Sequence, residues 1–539
     1  MGKRRQLLST EESDIFLPQI YSKERIREFA EQYSTAIPYP HVIISPVCDE
    51  NILLKVLGAL EQSLTLSFKE TDLFKVLQSI DLANIDTLAN EDTCRELFAL
   101  KKSLYSEKFR HFIREVTNCP PLDSKVDCSC NVYPQGGHLL CHDDVIGSRC
   151  ISYIIYLSEP HEEWVTDDGG ALELYDTSNM NVPDTIPRSS ILPKWNTMLL
   201  FRVEPGKSFH SVQEVYASHK SRISISGWYH FADQTVSKAA HASAQALFQR
   251  ELVLTEQLSS LCKPLLVTPT CLAPQFFHSE YGSSDKKYLA TWINNEYLTC
   301  EGMIQIQKQF QRQKSMVLHS FLTDAIANRI MTYITSQARI DSVSRKNSRD
   351  RFDDGWILCG PPHIRRFFRF QGSDSVSNNN HDCGQVLDEI NSMVLKSDAF
   401  GRWLKKITGH SLHVKNEIIR HFRSGQDYTV ALPCSTQNEG QVCLTLCFVD
   451  DFSLDKKRKW SDGDVGGYAC YMKPAGEQIT TAADVYKSED DGSVVSIDAS
   501  FNTLSILAHV DGGCDFVKFI SKSAPSDRWD ISLNMSRGV

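Results

Sequence analysis

The sequence contains no apolar run near the roughly 18 residues that a membrane-spanning helix needs, and Met1 to Thr10 carry no apolar core of the kind a secretory signal requires. Both absences predict a soluble intracellular protein without a membrane partner. An excess of positive charge is missing too: 57 Lys and Arg stand against 67 Asp and Glu, a formal charge of −10, which disfavours direct nucleic-acid binding. The 17 cysteines are expected to be reduced thiols, mostly small core residues, because no export signal precedes them. Cys128-Ser129-Cys130 lacks a second pair at zinc-finger spacing, so no zinc is expected there. Gly2 has Gln6 where a myristoylation motif wants Ser or Thr. Lys3-Arg4-Arg5 is a short basic cluster that hints at the nucleus, with a solvated terminus as the plainer reading. A cytoplasmic and nuclear protein is expected.

What the chain does have is an ordinary globular balance over 539 residues, too long for one core, so two domains are expected. The first hundred residues read as helical, with apolar positions at Ile52, Leu53, Val56, Leu57 and Leu60, then at Leu73, Phe74, Val76, Leu77 and Ile80. Strand signals are expected from Val132 to Phe231, in runs such as Ile151 to Leu157, Ala171 to Tyr175 and Met198 to Val203. Asp341 to Arg351 and Gly372 to Asp382 read as polar loops.

An internal repeat organises the rest. Ser106-Glu-Lys-Phe109-Arg-His-Phe112-Ile113 is echoed by Ser397-Asp-Ala-Phe400-Gly-Arg-Trp403-Leu404, and Thr117 by Thr408. Trp164 followed by Gly169-Gly170-Ala-Leu-Glu-Leu-Tyr175 is echoed by Trp460 followed by Gly466-Gly467-Tyr-Ala-Cys-Tyr471. Trp195-Asn196-Thr197 meets Phe501-Asn502-Thr503, and Arg222 meets Arg528. The order and spacing predict a mainly β chain with flanking helices (α+β), made of two double-stranded β-helix (jelly-roll) domains related by duplication. The expected division is 1–235 for the first domain, with its β-core at about 128–235, then a connecting segment at 236–290 and the second domain at 291–539.

His142-Asp143-Asp144 follows the apolar His138 to Cys141 stretch. If the strand continues through it, alternation places residues 142 and 144 on one side. An imidazole and a carboxylate there, joined by a histidine from another strand, make the two-histidine, one-carboxylate triad that holds iron(II) with adjacent positions open. His210, after the turn Pro205-Gly206-Lys207, can supply the third ligand. In Arg222-Ile-Ser224-Ile-Ser226, polar and apolar residues alternate, so Arg222 and Ser224 face the bore if the isoleucines pack outward, and the guanidinium can grip a carboxylate. Taken singly, a core histidine and a solvated arginine are the better readings; the joint pattern reverses that. His509-Val510-Asp511 repeats the motif without a downstream histidine and is read as a decoy.

The pattern resembles the 2-oxoglutarate oxygenases, which place an Arg shortly after the distal histidine. The stretches from Tyr133 to Leu157 and from Ser208 to His230, with Trp356 and Gly360-Pro361-Pro362, resemble more closely the termination- and polyadenylation-associated prolyl hydroxylases. That resemblance implies a peptidyl-prolyl hydroxylase using iron(II), 2-oxoglutarate and O₂, with ascorbate in support, and places Tyr133 and Tyr156 near 2-oxoglutarate. It implies a proline in a loop of the small-subunit ribosomal protein at the decoding centre as substrate, hydroxylated at ring carbon 3 or at 3 and 4. Translation-termination or messenger-RNA tail-binding factors are implied as partners, and a homodimer is compatible with it. The competing readings are an oxygen-sensing hydroxylase or regulator acting on a transcription factor, and a non-enzymatic scaffold for termination or tail factors. In the second copy, Leu432 and Cys434 fall at the first two ligand positions and Phe516 opposite His210, so that half is expected to be non-catalytic, with Arg528 as an ion-pair residue.

Overall fold

The computed structural model describes residues 14–537 apart from 84–94, 179–180, 234, 237, 240–241, 244–245, 247–279, 345–354, 373–382, 432–440, 452–457, 463, 473–492 and 509–513. The Lys3-Arg4-Arg5 cluster, Leu432, Cys434 and His509-Val510-Asp511 lie outside the described residues, as do most of the two polar stretches after residue 341. The chain divides into two compact units, Met1–Leu247 and Phe248–Val539. Among the described residues, no helix is long and apolar enough to cross a membrane.

In the first unit, helices α1 (Lys23–Thr35), α2 (Glu50–Ser63), α3 (Arg95–Leu104) and α4 (Glu107–Thr117) accompany strands β1 (His41–Ile44), β2 (Leu66–Glu70), β3 (Phe74–Ser79), β4 (Leu122–Tyr133), β5 (His138–His142), β6 (Arg149–Tyr156), β7 (Leu172–Leu174), β8 (Ser189–Ile191), β9 (Thr197–Arg202), β10 (His210–Val212) and β11 (Arg222–Phe231). The strands run β1-β9-β6-β11-β4-β3-β5-β10-β7-β8, with β2 paired to β3. Every pairing is antiparallel.

Local chemistry explains the helices. In α2 the Asp49 carboxylate caps the Ile52 amide at 3.1 Å, and Leu53, Val56, Ala59 and Leu60 form one buried face. The periodicity at residues 52–60 is therefore helical, as expected. That of Leu73 to Ile80 is not, because Phe74–Ser79 is strand β3, held between β2, β4 and β5. Short apolar runs fit either period, and here the available strand edges decide. For the same reason the β-structure begins at His41 rather than at Val132.

One face of the sheet packs on the helices through Phe109, Phe112, Ile113, Cys128, Cys130, Tyr153 and Ile225, all buried. The other face encloses a bore lined by Tyr133, Tyr156, Trp164, Leu174, Phe201 and Val212. Ile225 thus lies on the helical side, and Arg222 and Ser224 on the other.

The second unit repeats the order. Its strands are β12 (Ser315–Leu318), β13 (Trp356–Cys359), β14 (Arg365–Phe370), β15 (Leu412–Phe422), β16 (Tyr428–Thr429), β17 (Gln441–Val449), β18 (Ala469–Met472), β19 (Ser493–Ile497), β20 (Thr503–Ala508), β21 (Cys514–Val517) and β22 (Arg528–Arg537). The larger sheet runs β12-β20-β17-β22-β15-β14-β13, and β19-β18-β21 form a smaller one. Ser106 caps the Phe109 amide at 3.1 Å and Ser397 caps Phe400 at 3.2 Å. The two helices end on left-handed residues, Asn118 and Gly409. Asn196 and Asn502 are left-handed as well, at φ 53° and 52°. Asn196 clamps the Cys48 amide and carbonyl at 2.9 and 2.9 Å; Asn502 clamps those of Leu322 at 2.9 and 3.0 Å.

Candidate metal and co-substrate site

Antiparallel pairing of β5 with β10 sets His142 directly opposite His210, with ring centroids 4.3 Å apart. Each imidazole hydrogen-bonds through Nδ1 to a backbone carbonyl two residues back, His142 to Leu140 at 2.8 Å and His210 to Ser208 at 2.9 Å. With the Nδ1–H groups so engaged, both Nε2 lone pairs point into the bore.

The carboxylate arrives by a route that strand alternation does not describe. β5 ends at His142, and Asp144 sits beyond it with φ 62°, a left-handed conformation that Asp tolerates better than most residues. This turn, rather than a continued strand, brings Asp144 to the histidines: Oδ1 lies 3.1 Å from His142 Nε2 and Oδ2 3.4 Å from His210 Nε2. The three ligand atoms all lie within 4.8 Å of one another, and no other group of three such residues occurs among the described residues. Burial alone would raise the Asp144 carboxyl, but the adjoining His210 and His142 hold it well below the usual carboxylate range. Burial likewise works against charge on His142, yet the hydrogen bond to Asp144 raises it. Two imidazole nitrogens and one buried carboxylate turned toward one another make a set of donors that could hold a metal ion, and nitrogen plus oxygen donors in this number suit iron(II).

Arg222, 1% exposed, lies beside Tyr133 on β4 and two residues before Ser224, whose partner on β6 is Tyr156. Its Nε donates to the Gly170 carbonyl at 3.0 Å and Nη1 to Ser224 Oγ at 3.3 Å. The rings of Tyr133 and Tyr156 flank the guanidinium at 5.0 and 5.2 Å. Nη2 of Arg222 and the hydroxyl of Tyr156 are buried without a protein partner. Burial raises both phenols, against the lowering pull of Arg222, so they stay protonated and able to donate. Leaving buried donors unmet costs about 1–3 kcal/mol each, more for a charged group. A carboxylate offered by a small diacid answers both at once, which is the fit expected of 2-oxoglutarate. Gly170 is required here: its φ is +69°, and a side chain would press on Val215, Trp164 and Arg222.

The sequence reading missed the residues that hold Asp144. Trp228 Nε1 donates to its Oδ2 at 2.9 Å and Ser152 Oγ at 3.3 Å, while the Arg149 guanidinium lies 3.3 Å over the Trp228 ring. The signal was present, since alternation from Arg222 and Ser224 leads along the same face of β11 to Trp228.

In the second unit the arginine is answered from within. Arg528 donates to the Gly467 carbonyl, as Arg222 does to Gly170, and its Nε and Nη2 both reach Asp530 Oδ2, at 3.1 and 2.9 Å. Asp530 occupies the place of Ser224, so Arg528 is an ion-pair residue. One expectation needs correction: β18 pairs Tyr471 with Asp515 as β7 pairs Leu174 with His210, so Asp515, not Phe516, stands opposite His210. A one-residue insertion or deletion in a connecting loop shifts an alignment by sequence in this way, whereas the strand register fixes the match directly.

Residues 128–230 match the 2OG-Fe(II) oxygenase superfamily, and residues 284–538 match the oxoglutarate and iron-dependent oxygenase degradation C-terminal family. Prolyl 3,4-dihydroxylase OGFOD1 of Ostreococcus tauri is 38% identical over 93% of this chain and 95% of its own length. Prolyl 3-hydroxylase OGFOD1 of Xenopus laevis is 30% identical over 72% of this chain and 62% of its own. Among solved structures, a prolyl hydroxylase from Trichoplax adhaerens in complex with a hypoxia-inducible-factor peptide aligns with 40% of this chain and 93% of its own, at 18% identity and TM-score 0.30. The chain belongs to the OGFOD1 family of prolyl hydroxylases and is a 2-oxoglutarate-dependent dioxygenase using iron(II), 2-oxoglutarate and O₂.

Proposed function

We propose that His142, Asp144 and His210 are the iron ligands, that Arg222, Ser224, Tyr156 and Tyr133 seat 2-oxoglutarate, and that the substrate is a loop proline of the ribosomal protein at the decoding centre. The observation that carries the site assignment is the coincidence of two vacant donors, Arg222 Nη2 and Tyr156 OH, with the only His-Asp-His cluster among the described residues. When bound, iron supplies the oxidation chemistry. The chain's own groups fix geometry: the two Nδ1 hydrogen bonds lock the histidine tautomers, and Arg222 neutralises the far carboxylate so the keto acid enters in one orientation.

The ribosomal target rests on the motifs around Tyr133 to Leu157 and Ser208 to His230. The relative of 38% identity is named a 3,4-dihydroxylase, which supports oxidation at both ring carbons. The second unit is read as a protein-docking domain descended by duplication, supported by the shared strand order and the matched Asn196 and Asn502 clamps. A role in termination accuracy, in the cytoplasm and nucleus, follows from the same reading. Incubation with decoding-centre peptides carrying proline or alanine tests it. Mass spectrometry should show addition of one and then a second oxygen on the proline peptide alone, with succinate formed in step. Equal succinate yield on both peptides, with neither oxidised, would exclude this substrate.

A further inference from the structure

We infer that Trp228 is a positioning residue for the metal centre: its indole N–H, together with the Ser152 hydroxyl, engages Oδ2 of Asp144 and leaves Oδ1 alone to ligate the metal. The inference rests on the assignment of His142, Asp144 and His210 as ligands.

Trp228 on β11 and Ser152 on β6 are direct cross-strand partners, and both reach the same oxygen, at 2.9 and 3.3 Å. Oδ2 thus receives two donors and also lies 3.4 Å from His210 Nε2, whereas Oδ1 lies 3.1 Å from His142 Nε2 and receives neither donor. Two imidazoles and one carboxylate oxygen leave room for a chelating keto acid and O₂; a carboxylate that closed onto the metal with both oxygens would take one of those places. The indole is held in its orientation by Arg149, whose guanidinium lies 3.3 Å over the ring and whose Nη1 donates to the Asp144 carbonyl at 3.4 Å. A simple apolar wall would not require an N–H at this edge of the ring.

The test uses the full chain and Mn(II) as the probe, counting free ion by electron paramagnetic resonance and metal-bound water by proton relaxation. Trp228→Phe keeps the ring and its stacking but removes the donor. It should bind Mn(II) about tenfold or more weakly, with a lower relaxation enhancement per bound ion because Oδ2 displaces a water, while remaining cooperatively folded. Ser152→Ala should weaken binding severalfold in the same direction, and it decides the matter where Trp228→Phe does not fold. Wild-type affinity and relaxation in folded Trp228→Phe, or in Ser152→Ala when that variant decides, overturn the inference. Undiminished Mn(II) binding by His210→Ala would instead overturn the ligand assignment beneath it.

Discussion

At the scale of single residues, the site is a set of side chains whose partners are only partly supplied by the protein. Arg222 has two of its nitrogens bonded and a third aimed into the bore, a state that is costly unless a ligand anion completes it. Arg222→Ala should therefore raise the KM for 2-oxoglutarate by at least tenfold, since a hydrogen bond to a charged group is worth about 1.5–3 kcal/mol, while Mn(II) affinity stays within a few-fold of wild type. Steady-state kinetics beside metal titration checks this. An unchanged KM would remove Arg222 from the co-substrate site. His210 and Arg222 were legible in the sequence because each begins a strand, and His142 because its motif follows the apolar run that forms β5. Trp228 and Ser152 were legible only in part, because their role depends on where the Asp144 side chain ends up, and a left-handed turn at φ 62° decides that.

At the scale of elements, the same devices recur in both units. The Asn196 and Asn502 clamps tie the turn before β9 and β20 to a neighbouring segment through both polar atoms of the amide. Asn196→Ala removes three buried side-chain hydrogen bonds and Asn502→Ala two, each with a left-handed preference, at a cost of about 2–4 kcal/mol. Urea denaturation should show a loss of that size for each variant; a change below about 0.5 kcal/mol at either, the range of ordinary surface substitutions, would mean the clamp is incidental. Helix α2 was readable from the apolar spacing of Ile52 to Leu60, whereas the segments after Ser106 and Ser397 were legible only as two copies of one repeat. Strand β3 was not, because Leu73, Phe74, Val76, Leu77 and Ile80 fit a helical face as well as a strand. The edges of β2, β4 and β5 settle that ambiguity, and local sequence carries no record of them.

At the scale of the whole molecule, two units share a strand order, but the matched arginines differ: Arg222 keeps Nη2 unmet. Arg528 is paired with Asp530, and Arg420 reaches the same carboxylate at 2.7 and 3.1 Å. The second unit also carries the bidentate Asp285–Arg402 pair, at 2.7 and 3.0 Å. Arg402 and the Gly282 amide lower the Asp285 carboxyl against burial. A lowered carboxyl stabilises the fold above the unfolded value of about 3.9 and loses that contribution as pH falls through its lower folded value. Arg402→Met should thus be less stable than wild type at neutral pH, with the two urea midpoints converging as the medium becomes strongly acid. A constant gap at every pH would assign the loss to packing instead.

The most direct test of the central claim is anaerobic titration of the metal-free full chain with iron(II) in the presence of 2-oxoglutarate, following the visible charge-transfer absorption of the chelate. The account predicts one iron per chain and a saturating band, with both lost in His142→Ala and in His210→Ala. Full-strength iron binding and an unchanged band in either variant would contradict it.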